Sequence, residues 1–176
     1  MTPAPALPPG NGARRRCAEI RPRDVSQLVL HDPLMALRVL RYLRERRGTR
    51  ALTDITTIEH AVMMLGVSPF FRTFSGLRAV ESELASDKFA LEGMMRVVSR
   101  SRHAAMHARE WAQLRHDIES DEVVIATLLH DMAEMLLWYF APAQAEDIHH
   151  RMSRDPQLRS HEVQREILGF GLNDLQ

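Results

Sequence analysis

His130, Asp131 and Glu134 interrupt an otherwise apolar run, LLHDMAEMLLW, at residues 128–138. Burying such groups without partners is costly, so they either serve a ligand or mark the wetted side of a helix. On a helix His130 and Asp131 stand about 100° apart, and both can reach toward one neighbouring helix. His103 lies 27 positions before His130. If the two segments fold back antiparallel near residue 118, a rise of roughly 1.5 Å per residue staggers the two histidines by about 4–5 Å. Two imidazoles and a carboxylate form a three-ligand set for a divalent ion such as Zn, Mn or Fe, which would activate a water.

The same residues fit a plainer reading. Thr127, His130, Asp131 and Glu134 fall at i, i+3, i+4 and i+7, a single polar stripe of the kind that solvent covers. On the preceding segment Leu91, Val98, Ala105 and Ala112 define a core stripe. His103 stands roughly 120–160° from it, beside Arg96, Arg100, His107 and Glu110, where surface residues sit. His103 and His107 form an H-x-x-x-H pair without the glutamate of HExxH, and His149-His150 reads as solvated. There is no glycine-rich phosphate loop and no serine triad. Cys17 is the only cysteine, which excludes an internal disulfide and fits a reducing compartment.

The elements that must position these groups are helical, and no segment alternates with period two, so the expected class is all-α. Residues 1–23, rich in Pro, Gly, Ala and Arg, are expected to be a flexible tail, with a single domain over 24–176. Asp32-Pro33 starts a helix that carries Leu34, Leu37, Leu40 and Leu43 and stops at Gly48. Thr56 and Glu59 have capping-box spacing ahead of Ile58, Ala61, Val62 and Leu65, and Gly66 closes that stripe. Ser68-Pro69 restarts a helix bearing Phe70, Phe71 and Phe74, expected in the core. Two long helices follow, from about Ser86 to Leu114 and from about Ser120 to Phe140, with RHDIESD as the turn. Trp111 and Trp138 are expected in the core, placed to meet across this central antiparallel pair. Shorter helices should occupy 142–152 and 160–168, the last ending at Gly169.

Charge sets the candidate partners. The chain has 23 basic and 23 acidic residues, so nucleic acid is not expected as a partner. Residues 1–50 nevertheless carry eleven arginines against four acids. Arg38, Arg41, Arg44, Arg46 and Arg47 are thus candidate contacts for an acidic partner, although a chain with Lys88 as its only lysine also reflects GC-rich codon usage. The apolar stretch 123–140 is broken at its centre by His130, Asp131 and Glu134, and no signal peptide is recognisable. A cytoplasmic protein without a membrane segment is expected.

Four stretches carry a family likeness: HDPLMALRVLRYL, ITTIEHAVMMLGVSPFF, SRHAAMHAREWA and EVVIATLLHDMAEMLLW. In this order they resemble the HDOD domain, the HD-related output domain of bacterial signalling proteins and a relative of the HD metal-dependent phosphohydrolases. The resemblance covers roughly residue 24 to the end. It implies a multi-helix HD-superfamily-like fold and a non-catalytic regulatory role through protein–protein interaction. It implies too that His103, His130 and Asp131 match metal ligands of the HD enzymes, here vestigial. A downstream aspartate completes the enzymes' set; Asp147, Asp155 and Asp174 are present without a recognisable context. Where many catalytic relatives have Gly-Lys after the His-Asp pair, this chain has Ala133 and Glu134, and an acid there would repel phosphate. Leu172 falls near the place of a usual histidine, and the resemblance implies that the family's later helices are lacking.

Two functions follow as expectations. The first is a signalling module that contacts another signalling protein or a second copy of itself, with no cofactor. The second is a metal-dependent phosphohydrolase acting on a nucleotide or cyclic dinucleotide.

Overall fold

The computed structural model describes residues 20–47, 58–115 and 120–175. Ten α-helices and a closing 3-10 turn cover most of them, with no strand among the described residues. Helix α1 spans Pro22–Val29 and α2 spans Pro33–Arg47. Then come α3 (Ile58–Leu65), α4 (Val67–Phe74) and the single turn α5 (Val80–Glu83). Helix α6 is the longest, Lys88–Arg115. It is followed by α7 (Ser120–Leu129), α8 (Met132–Phe140), α9 (Pro142–Arg154), α10 (Ser160–Leu168) and the 3-10 turn Leu172–Leu175.

Local chemistry accounts for most of the boundaries. Asp32 Oδ1 accepts hydrogen bonds from the backbone N–H groups of Leu34 and Met35 at 2.9 and 3.0 Å, so the acid before Pro33 caps α2 as expected. Asp87 does the same for α6 through Ala90 N–H at 2.9 Å. Gly169 ends α10 at φ +83°, a left-handed conformation that a side chain would strain. Gly66, also at φ +83°, both closes α3 and opens α4, so α4 begins at Val67 and Ser68-Pro69 lie inside its first turn. Helix α1 starts at Pro22, inside the segment read as tail. Residues 1–19, Gly48, Thr56 and the turn at 116–119 lie outside the described residues.

Two hydrophobic cores are joined by α6. The first gathers Val25 and Val29 of α1, Ala36 and Val39 of α2, Ile58 and Val62 of α3, Phe70 of α4, and Val124 and Leu128 of α7, with Ala105 of α6. The second packs Ala90, Met94 and Val97 of α6 against Met135 and Trp138 of α8 and Ala145 of α9. At roughly 1.5 Å per residue, α6 is about 42 Å long, enough to run through both.

Three expectations need correction. The helix read from Ser120 to Phe140 is two helices, interrupted at His130-Asp131. The interruption falls where the chain passes from one core to the other, between Leu128 and Met135. By length and composition residues 121–140 could cross a bilayer, with a mean hydropathy of 1.4 over a window of that stretch, and this bend lies at its middle. Trp111 and Trp138 do not meet: Trp111 is 73% exposed, whereas Trp138 is buried against α6. The close approach there depends on Gly93, because a Cβ at that position would lie 2.5 Å from the Trp138 indole. Of the three phenylalanines of α4, Phe70 is buried, while Phe71 is exposed and Phe74 lies half-buried beside Tyr42.

Candidate functional site

No proline or glycine lies at the interruption, so side chains must account for it. His130 N–H bonds back to Thr127 O at 3.3 Å, a tight final turn, and Asp131 at φ −92°, ψ 20° precedes α8 without capping it. Its carboxylate is turned instead toward α6. Arg100 Nε donates to Asp131 Oδ2 at 2.9 Å, and the same guanidinium donates through Nη2 to Glu134 Oε2. Buried Ser101 donates weakly to Asp131 Oδ2 at 3.5 Å, and His130 Nδ1 stands 3.1 Å from Oδ1. One arginine therefore clamps two carboxylates, one at the break and one in the first turn of α8, and both oxygens of Asp131 are engaged.

Burial favours the neutral form of each partner, and pairing overrides it. The Asp131 side chain is only 21% exposed, which opposes its ionisation. The hydrogen bonds from Arg100 and His130, reinforced by their charge, prevail and hold its pKa below the ordinary aspartate value. Arg100 is likewise penalised by burial yet pushed to a higher pKa by Asp131 and Glu134.

The clamp forms one wall of a cavity of about 410 Å³ between α6, α8, α9 and α10. Trp138 and His149 form part of the lining. Arg96 Nη1 donates to His149 Nε2 at 3.2 Å, since arginine only donates. Gln164 Oε1 accepts from Leu172 N–H at 2.9 Å and holds the closing turn against the cavity.

Of the sequence candidates, the structure brings His130 and Asp131 together and sets His103 apart. His103 is exposed and lines a different cleft, with Ser99, Arg102 and Arg109. Among the described residues no group of three or more His, Cys, Asp or Glu side chains is placed to hold a metal ion, so the expected trio does not fit one as arranged. The downstream aspartates are occupied locally: Asp147 pairs with Arg151, Asp155 accepts from Gln157 N–H, and Asp174 accepts from Gly171 N–H. His107 pairs with Glu110 at 3.6 Å rather than with His103. On α2, Arg38 and Arg44 are exposed and Arg41 pairs with Glu45 at 2.7 Å; the side chains of Arg46 and Arg47 lie outside the described residues.

The HDOD domain family model matches residues 16–175, nearly the whole chain. The chain belongs to the HDOD family. Comparisons with curated proteins and with solved structures return no match. The all-α architecture agrees with HDOD membership, and the His-Asp pair of this HDOD domain sits at a helix break rather than within one helix.

Two residues of this candidate site are not among those the sequence singles out. Arg100 was placed on a solvated face, although folding the hairpin about residue 118 sets it 18 positions before the turn and Glu134 16 after. That near-symmetry was the available signal. His149, expected to be solvated, meets Phe89 and Trp138 edge-on, with ring centroids 6.3 and 6.4 Å away. No local pattern marks it.

Proposed function

We propose that this HDOD chain is a non-catalytic regulatory module of a bacterial cytoplasmic signalling system, working by binding another protein. The observation that carries this reading is the Arg100 clamp. A guanidinium is permanently charged and matches carboxylates with a planar fork of donors. Seated on Asp131 and Glu134, it supplies the positive charge that a divalent ion would otherwise bring. A metal would have to displace it and leave a partly buried arginine unpaired. Glu134 adds a carboxylate where a phosphohydrolase would place a lysine near the leaving group.

For the partner surface, Arg38 and Arg44 offer two exposed cations on α2, and the partner is an acidic face of another signalling protein or of a second copy. The test is elemental analysis of chelator-free protein, followed by an assay with a phosphodiester substrate in the presence of manganese. No bound metal and no hydrolysis are expected. A stoichiometric metal that disappears in Asp131→Ala, together with turnover, would establish the phosphohydrolase instead. The surface is tested with Arg38→Glu/Arg44→Glu, which should lose binding to a partner or to itself, read by cross-linking, and keep the fold.

A further inference from the structure

A second concavity, of about 380 Å³, lies where α6 passes the C-terminal end of α1 and the side of α7. From α6 it is lined by Ser99, Arg102, His103, Met106 and Arg109, at i, i+3, i+4, i+7 and i+10, one continuous face of a single helix. That face is turned roughly 120° from Arg100, so the cleft is separate from the clamp. His31 faces it from the turn after α1, its ring oriented by donation from Nδ1 to Gln27 O at 2.6 Å. Leu30, Ala105 and Val124 supply an apolar floor.

The charge of this cleft is one-sided. The chain as a whole balances its acids and bases, yet among the described residues no carboxylate lines the cleft. Arg102 and Arg109 form no ion pair with any described residue, as is true also of Arg23, Arg38, Arg44 and Arg72, and what sets the two apart is that they line one cleft together. Arg109 is also half-buried, and so is held within the cleft rather than extended into water. Two guanidinium groups with no ion pair among the described residues, a hydroxyl and two imidazoles over an apolar floor make a site for an anion with a hydrophobic part.

We propose that this cleft binds a small organic phosphate. The phosphoryl group is held between Arg102 and Arg109, two turns apart on α6, and the organic part lies over Leu30, Met106 and Val124. Guanidinium forks suit phosphate oxygens, and the volume suits a small ligand rather than a polymer. Such a ligand would be an input to the domain, because it grips the helix that carries Arg100. The proposal goes beyond the regulatory reading and stands whether or not that reading holds.

The test is a thermal-shift and calorimetric titration of the full chain with phenyl phosphate, inorganic phosphate and sodium chloride at matched ionic strength. Phenyl phosphate should raise Tm and bind more tightly than inorganic phosphate, and sodium chloride should give no shift. Arg102→Gln and Arg109→Gln should each weaken phenyl phosphate binding about tenfold, the scale of one lost charge-assisted contact. Arg102 is exposed, so its variant keeps the fold and serves alone if Arg109→Gln does not. Three results would overturn the proposal: no shift beyond that of sodium chloride, undiminished binding in Arg102→Gln, or tighter binding of a single-stranded oligonucleotide than of phenyl phosphate.

Discussion

Arg100 and Asp131, 31 positions apart in sequence, form the contact that ties the middle of the longest helix to the His-Asp break, at 2.9 Å from Nε to Oδ2. Glu134 shares the same guanidinium, so removing Arg100 leaves two carboxylates facing each other. Arg100→Leu should lower stability by about 1 kcal/mol, a figure discounted for the 53% exposure of the arginine. Manganese should then recover part of the lost Tm in the variant while leaving the wild type unchanged, because only the variant has lost its internal cation. Thermal melts with and without the metal check both halves.

Acid should weaken this contact in a defined direction. The Asp131 pKa is depressed in the folded chain, so its ionised form contributes stability that is present above the unfolded value of about 3.9 and is lost as pH falls through the lower folded value. Asp131→Asn should therefore be less stable than wild type at neutral pH, and the deficit should shrink on acidification. Urea unfolding at about pH 7 and about pH 3 gives the comparison. Asp24, whose pKa is lowered by hydrogen bonds from Arg21, leaves a residual acid dependence in the variant.

Gly93 faces a stiffer constraint. Three indole atoms of Trp138 lie 2.5–2.6 Å from where a Cβ would stand, so Gly93→Ala should cost about 2–3 kcal/mol and disturb the second core. Pairing it with Trp138→Leu should recover much of the loss, a coupling that chemical denaturation of the wild type and the three variants measures.

Gly169 separates conformation from packing. Nothing lies within 4 Å of its missing Cβ, but its φ of +83° strains an L side chain. Gly169→Ala should cost about 1 kcal/mol, with Asn at that position costing less. Gly76, which also has open space and no positive φ, should accept alanine with no measurable loss.

The two tryptophans report on different environments. Trp138, 4% exposed, should emit at short wavelength and resist iodide quenching, and Trp111 should emit at long wavelength and quench readily. The single variants Trp111→Phe and Trp138→Phe assign the two signals, and similar quenching of both would contradict the packing.

By itself the sequence determined what a few neighbouring residues can settle. Asp32-Pro33, Gly66, Pro142 and Gly169 mark helix ends through capping and backbone limits that act over one turn, and the structure follows them within a residue or two. The run of motifs was likewise enough to indicate the family. Only the tertiary structure decided that Asp131 faces Arg100 while His103 lines another cleft. The reason is geometric: each residue along a helix turns its side chain by about 100°, so a small rotation or bend re-aims every long-range pair while leaving the local pattern intact. The bend at His130-Asp131, with no proline or glycine to announce it, is such a case. It lies between Leu128 of the first core and Met135 of the second, and an arginine on the facing helix holds Asp131 there.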